Sequence, residues 1–434
     1  MIDYDAKGYI RPDTISYELS LQEFSQKYEK VKAKADILNV PVNTRFRFIK
    51  RIIGKLIRLF ALQQMDFNNH ALDLIELQRK LINQNRKTIE NLIEINEELK
   101  IRLYKTLEKP SIKVSVIINT LNRAPWLKKL LDALMLQTYD NFEVIVVNGP
   151  STDNTVEVLE AYKGIIKIEN CDKPNISLSR NIGIKAAAGE IIIFIDDDAV
   201  PVDNQWIEDY AISFEIDSKL GAIGGKVFNK RGEIEFSCGK IDIWGYPICI
   251  TESGNCDNIK DVYNYVPGGN GAYLKEAVLK VGGFDEYIEY YADEADLCIR
   301  LNRTGYEVKH HPTAHIYHEN AGTGETKTTP NKDWYVISKN QTYFAYKNSE
   351  GYYDMDTRNT EAKRASERFT DEFDHYYNNG IISQEDYNSF IEMYGRGIKQ
   401  GKHDGLNTER KINFNLECTK EFLLINKPGV GEEI

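Results

Sequence analysis

The stretch Gly189 to Ala199 reads GEIIIFIDDDA. Ile191 to Ile195 contains no polar residue and is rich in β-branched side chains. That is the composition of a strand buried on both faces, as inside a parallel sheet. The strand runs directly into Asp196, Asp197 and Asp198. Ligands of open α/β sheets bind at the carboxyl ends of the strands. Three adjacent carboxylates repel one another and need a counter-charge, which a hard divalent cation carrying phosphate oxygens supplies. A bare aspartate triplet reads first as a solvated acidic turn. The buried strand ahead of it favours a site.

Around this stretch the chain alternates strand and helix. Val114 to Ile118, Phe142 to Val147 and Ile165 to Ile168 read as strands. Pro125 to Gln137, Asn154 to Tyr162 and Ile176 to Ala188 read as helices. Repeated βαβ units predict an α/β fold, a Rossmann-like and mostly parallel sheet with helices on both faces. From Gly221 to Tyr265 short strands and glycine turns predict an antiparallel excursion. Lys275 to Val281 and Glu294 to Asn302 read as helices, and Glu307 to His310 as a last strand. Residues 331–434 form a C-terminal extension, with helices expected at Trp334 to Lys347, Arg364 to Tyr377 and Gln384 to Tyr394.

Residues 1–110 differ in character. Between 42 and 62 lie Arg45, Arg47, Lys50, Arg51, Lys55 and Arg58, with no acid between Asp36 and Asp66. Phe46, Phe48, Ile49, Ile52, Ile53, Leu56, Ile57, Leu59 and Phe60 alternate with these charges. A basic amphipathic helix of this kind suits an anionic membrane surface, or equally a face of an acidic domain or partner. Residues 63–108 have no proline or glycine. Ile75, Ile82, Ile89 and Leu103 share a seven-residue register with Asn96, and Leu92 and Leu99 fill the alternate seam with Gln78 and Asn85. The pattern predicts a coiled coil and a homo-oligomer. The competing reading is one helix laid along the α/β domain.

At 434 residues the chain has room for two or three domains, here 1–110, 111–330 and 331–434. Its net charge of −11 excludes wholesale nucleic-acid binding. The six cysteines form no CxxC pair and read as reduced, scattered thiols. No basic-then-apolar leader opens the chain and no apolar run approaches a membrane span. The expected location is cytoplasmic, with peripheral contact at the inner face of the membrane.

Four motifs then occur in order. They are Val114 to Arg123 (VSVIINTLNR), Ser151 to Thr155 (STDNT), Ser179 to Gly183 (SRNIG) leading to Asp196–Asp198, and Gly282 to Glu286 (GGFDE) leading to Asp293 to Arg300 (DEADLCIR). Together they make residues 113–320 resemble the family 2 glycosyltransferases of the GT-A fold. The resemblance implies an inverting transfer of a hexose or similar sugar from a nucleoside-diphosphate sugar to a hydroxyl. Asp196 and Asp198 would form the family's DxD motif and hold manganese or magnesium with His318, while Asp196 and Asp197 contact the ribose. Glu294 would be the general base, with Asp293 as the alternate, since the family's usual Glu-Asp order is reversed here. Asp293 also reads as a helix N-cap. Thr120, Asn122, Arg123 and Asn148 would line the nucleotide pocket, Arg180 and Asn181 the diphosphate or sugar, and Asn270 the donor sugar.

Two departures stand out. Asn119 and Leu121 replace the family's proline and aromatic in Pro-Thr-Tyr-Asn. Asn148-Gly-Pro-Ser151 replaces Asp-Asp-Gly-Ser. The expected donor is a UDP- or TDP-sugar, with GDP open. The expected acceptor is a growing surface glycan or lipid-linked precursor. The competing functions are a non-catalytic scaffold that keeps the fold and a nucleotidyltransferase. Against the second stands Thr120 to Pro125, which lacks a glycine-rich basic loop.

Overall fold

The computed structural model describes residues 94–105, 109–237, 239–249, 260–319 and 333–416, with 418, 420–425, 427 and isolated helical positions between 80 and 92. The basic segment 42–62 and most of the heptad segment 63–108 lie outside the described residues. The described residues from Glu94 onward form one compact unit, C-terminal helices included.

The elements that build the site follow in chain order. They are β1 (Val114–Thr120), α1 (Ala124–Met135), β2 (Phe142–Asn148), α2 (Thr155–Ala161), β3 (Lys167–Asn170), α3 (Ile176–Ala186), β4 (Ile191–Asp196), β5 (Ala199–Pro201) and α4 (Trp206–Ile216). Next come β6 (Leu220–Gly224), β7 (Val227–Asn229), β8 (Ile234–Phe236), β9 (Gly239–Asp242), β10 (Pro247–Cys249), β11 (Val262–Tyr265), β12 (Asn270–Leu274) and α5 (Lys275–Lys280). The chain continues with α6 (Asp293–Arg303), β13 (Glu307–His310), β14 (Ile316–His318), α7 (Trp334–Ser349), α8 (Met355–Asn378) and α9 (Gln384–Asn407).

A seven-stranded sheet runs in the order β13-β6-β12-β4-β1-β2-β3. All pairings are parallel except those of β12, which is antiparallel to both β4 and β6. The expected mostly parallel α/β architecture is what the chain adopts. Alternate residues of one strand feed two cores. Ile191, Ile193 and Ile195 join Val116 and Leu127 on one face, while Ile192 and Phe194 join Ile117 and Phe284 on the other. Burial on both faces explains the unbroken apolar run of β4.

The excursion after β6 contributes strands to two small sheets, β10-β9-β11 and β5-β14-β7-β8, the second completed by β5 and β14 from outside it. The second is the one that matters for the site. β14 pairs antiparallel with β5 and parallel with β7, and β7 pairs antiparallel with β8. The C-terminal helices are longer than periodicity predicts. α9 continues past Gly395 and Gly397 to Asn407. A Cβ at Gly397, Gly401 or Gly405 would collide with Ser338, Lys339 or Tyr346 of α7, so this glycine row permits close helix packing.

Candidate active site

β4 delivers Asp196 at its last residue, and Asp197 and Asp198 form the turn into β5. β14 brings His318 opposite Ala199, and the Glu319 N–H donates to the Asp198 carbonyl at 3.0 Å. Strand pairing therefore sets the imidazole beside the carboxylates. His318 Nε2 lies 3.2 Å from Asp198 Oδ1 and 3.9 Å from Asp196 Oδ2. One ligand atom each from Asp196, Asp198 and His318 lies within 4.8 Å of the others.

Arg123 and His318 offset part of the negative charge at this cluster. The Arg123 guanidinium pairs with Asp198 and stands 3.6 Å from Asp197. Burial works against a charged His318, but its hydrogen bond to Asp198 and the nearby carboxylates raise it to about 9. Burial pushes the Asp197 carboxyl up to about 7, against the pull of Arg123. Two carboxylate oxygens and one imidazole nitrogen, converging at a strand end, are a donor set that fits manganese or magnesium.

The acid pair opens α6. Tyr291 and Ala292 ahead of it both take left-handed backbone, φ +71° and +70°. Asp293 turns inward to an ion pair with Arg180. Arg180 is 5% exposed, donates to the Gly268 carbonyl at 3.2 Å, and lies over the Phe194 and Phe284 rings. Its other neighbour is Glu294, at 4.0 Å. Glu294 opens instead into a cleft of about 230 Å³, lined also by Asp196, Glu235, Phe236, Gly269 and His318. Burial, then the Asp293 charge, raises the Glu294 carboxyl well above its usual range, with Arg180 opposing. The glycine loop lets these groups approach. A Cβ at Gly269 would collide with the Asp196 carboxylate.

Several expected contacts serve other ends. Asn270 was expected at the donor sugar but is fully buried. Its Oδ1 accepts from Trp206 Nε1 and the Tyr210 hydroxyl, and its Nδ2 donates to the Lys226 and Ala314 carbonyls. No hydrogen-bonding capacity is left for a ligand. Asn181 likewise braces the turn before α6, bonding Phe284 at both N–H and carbonyl and Glu286 through Nδ2. Asn122, at φ +56°, uses its Oδ1 to hold the N–H groups of Thr152 and Asp153, stapling two loops together. Arg123 faces the aspartates, and Arg180 faces the acid pair. Asn148 accepts the Ser151 hydroxyl at 2.8 Å, and Thr120 is buried at the end of β1. Glu235, absent from the motif reading, reaches His318 Nδ1 at 3.2 Å. It lies in a segment with no motif spacing, so no sequence signal pointed to it.

Residues 115–255 match the family described as glycosyl transferase family 2. The O-antigen biosynthesis protein RfbC of Myxococcus xanthus is 26% identical over 249 residues, 54% of this chain and 19% of that protein. Chondroitin synthase of Escherichia coli is 25% identical over 246 residues, 50% of this chain and 36% of that protein. The chain thus spans well under half the length of either relative. Among solved structures, S. aureus TarS 1–349 aligns with a TM-score of 0.45 at 17% identity, covering 68% of this chain and 82% of that one. Residues 115–255 thus match glycosyl transferase family 2, and the end of β4 meets β14 where Asp196, Asp198 and His318 come together.

Proposed function

We propose that the chain is a metal-dependent inverting glycosyltransferase. It moves a sugar from a nucleoside-diphosphate donor, with UDP- and TDP-sugars first in line, to a hydroxyl of a surface glycan or lipid-linked precursor. The observation that carries this reading is the convergence of Asp196, Asp198 and His318 beside a cleft into which Glu294 opens. Asp196, Asp198 and His318 would hold the manganese or magnesium ion, which would stabilise the charge gathering on the departing diphosphate. Glu294 is the base that takes the acceptor proton. Asp293 is the partner that keeps Arg180 ionised and in place, and its charge raises the proton affinity of Glu294. Asp197, Thr120 and Arg123, gathered at the ends of β1 and β4, would face the nucleotide and its diphosphate.

A screen of UDP-, TDP- and GDP-sugars, with manganese or with EDTA, tests the reading. The expected result is release of one nucleoside diphosphate, dependent on manganese and lost in Asp198→Ala. Metal-independent release, or pyrophosphate release from a nucleoside triphosphate, overturns it.

Homo-oligomerisation and peripheral membrane contact belong to the same reading. The described end of the heptad helix is anchored by buried Ile101, by Tyr104 to Glu215, and by Lys105 to Asp209 at 2.5 Å. Its seam residues Leu99 and Leu103 face outward, 58% and 60% exposed. Sedimentation of wild type against Leu99→Asp tests the coiled coil, an unchanged mass counting against it. Flotation with anionic vesicles at low salt tests segment 42–62. No helix among the described residues is long and apolar enough to cross a membrane.

A further inference from the structure

Glu235 belongs to none of the motifs, yet three features of its position point to one task. The first is topology. The small sheet β5-β14-β7-β8 begins at Ala199, immediately after Asp198, carries His318 at the end of β14, and has Glu235 in the middle of β8. One four-stranded sheet therefore holds the histidine and this glutamate, and starts one residue after an aspartate of the cluster.

The second is local irregularity. Val227 of β7 faces Phe236 of β8 and Phe228 faces Ile234, so one step along β7 spans two along β8. The extra residue is Glu235. Such a bulge leaves a residue out of the ladder and re-aims its side chain, and bulges recur beside active sites. Here the carboxylate is directed into the cleft shared by Asp196, Glu294 and His318.

The third is the geometry at the ring. Glu235 Oε2 lies 3.2 Å from His318 Nδ1, while Nε2, at the other side of the imidazole, faces Asp198 at 3.2 Å. Glu235 and Asp198 thus meet opposite nitrogens of the ring, and the three convergent ligand atoms are those of Asp196, Asp198 and His318. A carboxylate accepting from Nδ1–H selects the tautomer whose lone pair is on Nε2, the atom turned to the aspartates. It also fixes the ring plane.

We propose that Glu235 is the positioning residue of the metal site. It holds His318 in the Nδ1–H tautomer so that Nε2 completes the Asp196–Asp198 ligand set. The proposal rests on the metal reading above. The β7–β8 hairpin is then part of the metal site rather than a surface excursion. A purely acceptor-binding role for Glu235 would leave metal affinity untouched, which separates the two.

Manganese binding to the full chain, followed by electron paramagnetic resonance titration, provides the test. Glu235→Ala weakens manganese binding about 10–100-fold, and Glu235→Gln, whose carbonyl still accepts from Nδ1–H, loses less. With diamagnetic magnesium bound in place of manganese, long-range nitrogen–proton correlation shows His318 protonated at Nδ1 alone in wild type and no single protonation pattern in Glu235→Ala. Wild-type manganese affinity in Glu235→Ala, with weakened binding in His318→Ala, overturns the positioning role and leaves the metal site standing. Wild-type affinity in Asp198→Ala removes the metal reading and this proposal with it. Glu235 keeps about 31% of its side chain exposed, so both substitutions leave the fold intact.

Discussion

The acid pair at the head of α6 shows how two adjacent carboxylates come to face different surroundings. Asp293 is buried against Arg180, and Glu294 opens to the cleft. A general base must be ionised to accept a proton, and the Glu294 carboxyl is raised above its ordinary value of 4.5. Activity should therefore fall on acidification through a limb lying above pH 4.5, as Glu294 becomes protonated. A pH profile of kcat/KM checks this, and Glu294→Gln should lower kcat about 10²–10⁴-fold with an unchanged melting temperature. Asp293→Asn should behave differently. It strands a buried guanidinium, a loss of about 3–5 kcal/mol in chemical denaturation. If Asp293→Asn is stable and inactive while Glu294→Gln stays active, the roles are reversed. The aspartate triplet, the acid pair and His318 were legible as candidates because each sits at a strand end or helix start. Residue type alone does not separate Asn181 and Asn270 from ligand contacts. An asparagine beside a glycine loop has the same sequence signature whether its amide faces a sugar or, as here, four core partners.

At the scale of elements, the start of β12 is a structural knot. Asn270 joins α4, through Trp206 and Tyr210, to the loops at Lys226 and Ala314. Those loops lead into β7 and β14, the strands behind His318. Asn270→Ala leaves buried donors and carbonyls unpaired, and should cost about 1–3 kcal/mol in urea denaturation. Donor KM should change little in the folded fraction, and a large rise at full stability would instead mean direct contact. The parallel strands were legible because burial on both faces leaves continuous apolar runs. The small sheets were not, since β5, β7, β8 and β14 are three residues each, too short for a period to register. α9 misled the reading in the opposite sense. Gly395 and Gly397 resemble a helix stop, but the row ending at Gly405 is a packing surface against α7.

At the scale of the molecule, the C-terminal segment is a strap. Arg410 pairs with Asp296 at 2.6 Å and Asp285 at 3.2 Å, both carboxylates without exposed surface, and also reaches Asn348 of α7. Farther on, the Leu423 N–H donates to buried Glu143 and the Ile425 N–H to the Phe142 carbonyl. The strap therefore ties α6, which carries the acid pair, to α7 and then to β2. Burial opposes ionisation of Asp296, but Arg410 and Arg300 pull its carboxyl down to about 2 from 3.8. A depressed carboxylate contributes stability that is full above the unfolded value and is lost as pH falls from about 3.8 toward 2. Arg410→Met should cost about 3–5 kcal/mol at neutral pH, and acid unfolding should begin at higher pH, both followed by circular dichroism. None of this was legible in sequence, because a lone arginine in a polar tail carries no pattern. The proposed function turns on Asp196, Asp198 and His318 holding a divalent ion that engages the donor diphosphate. Calorimetric titration of UDP, with TDP and GDP alongside, is the decisive measurement. One nucleotide should bind with manganese, binding should be lost in EDTA, and Asp198→Ala should abolish it. Equal affinity in manganese and EDTA, or unaltered binding by Asp198→Ala, would contradict it.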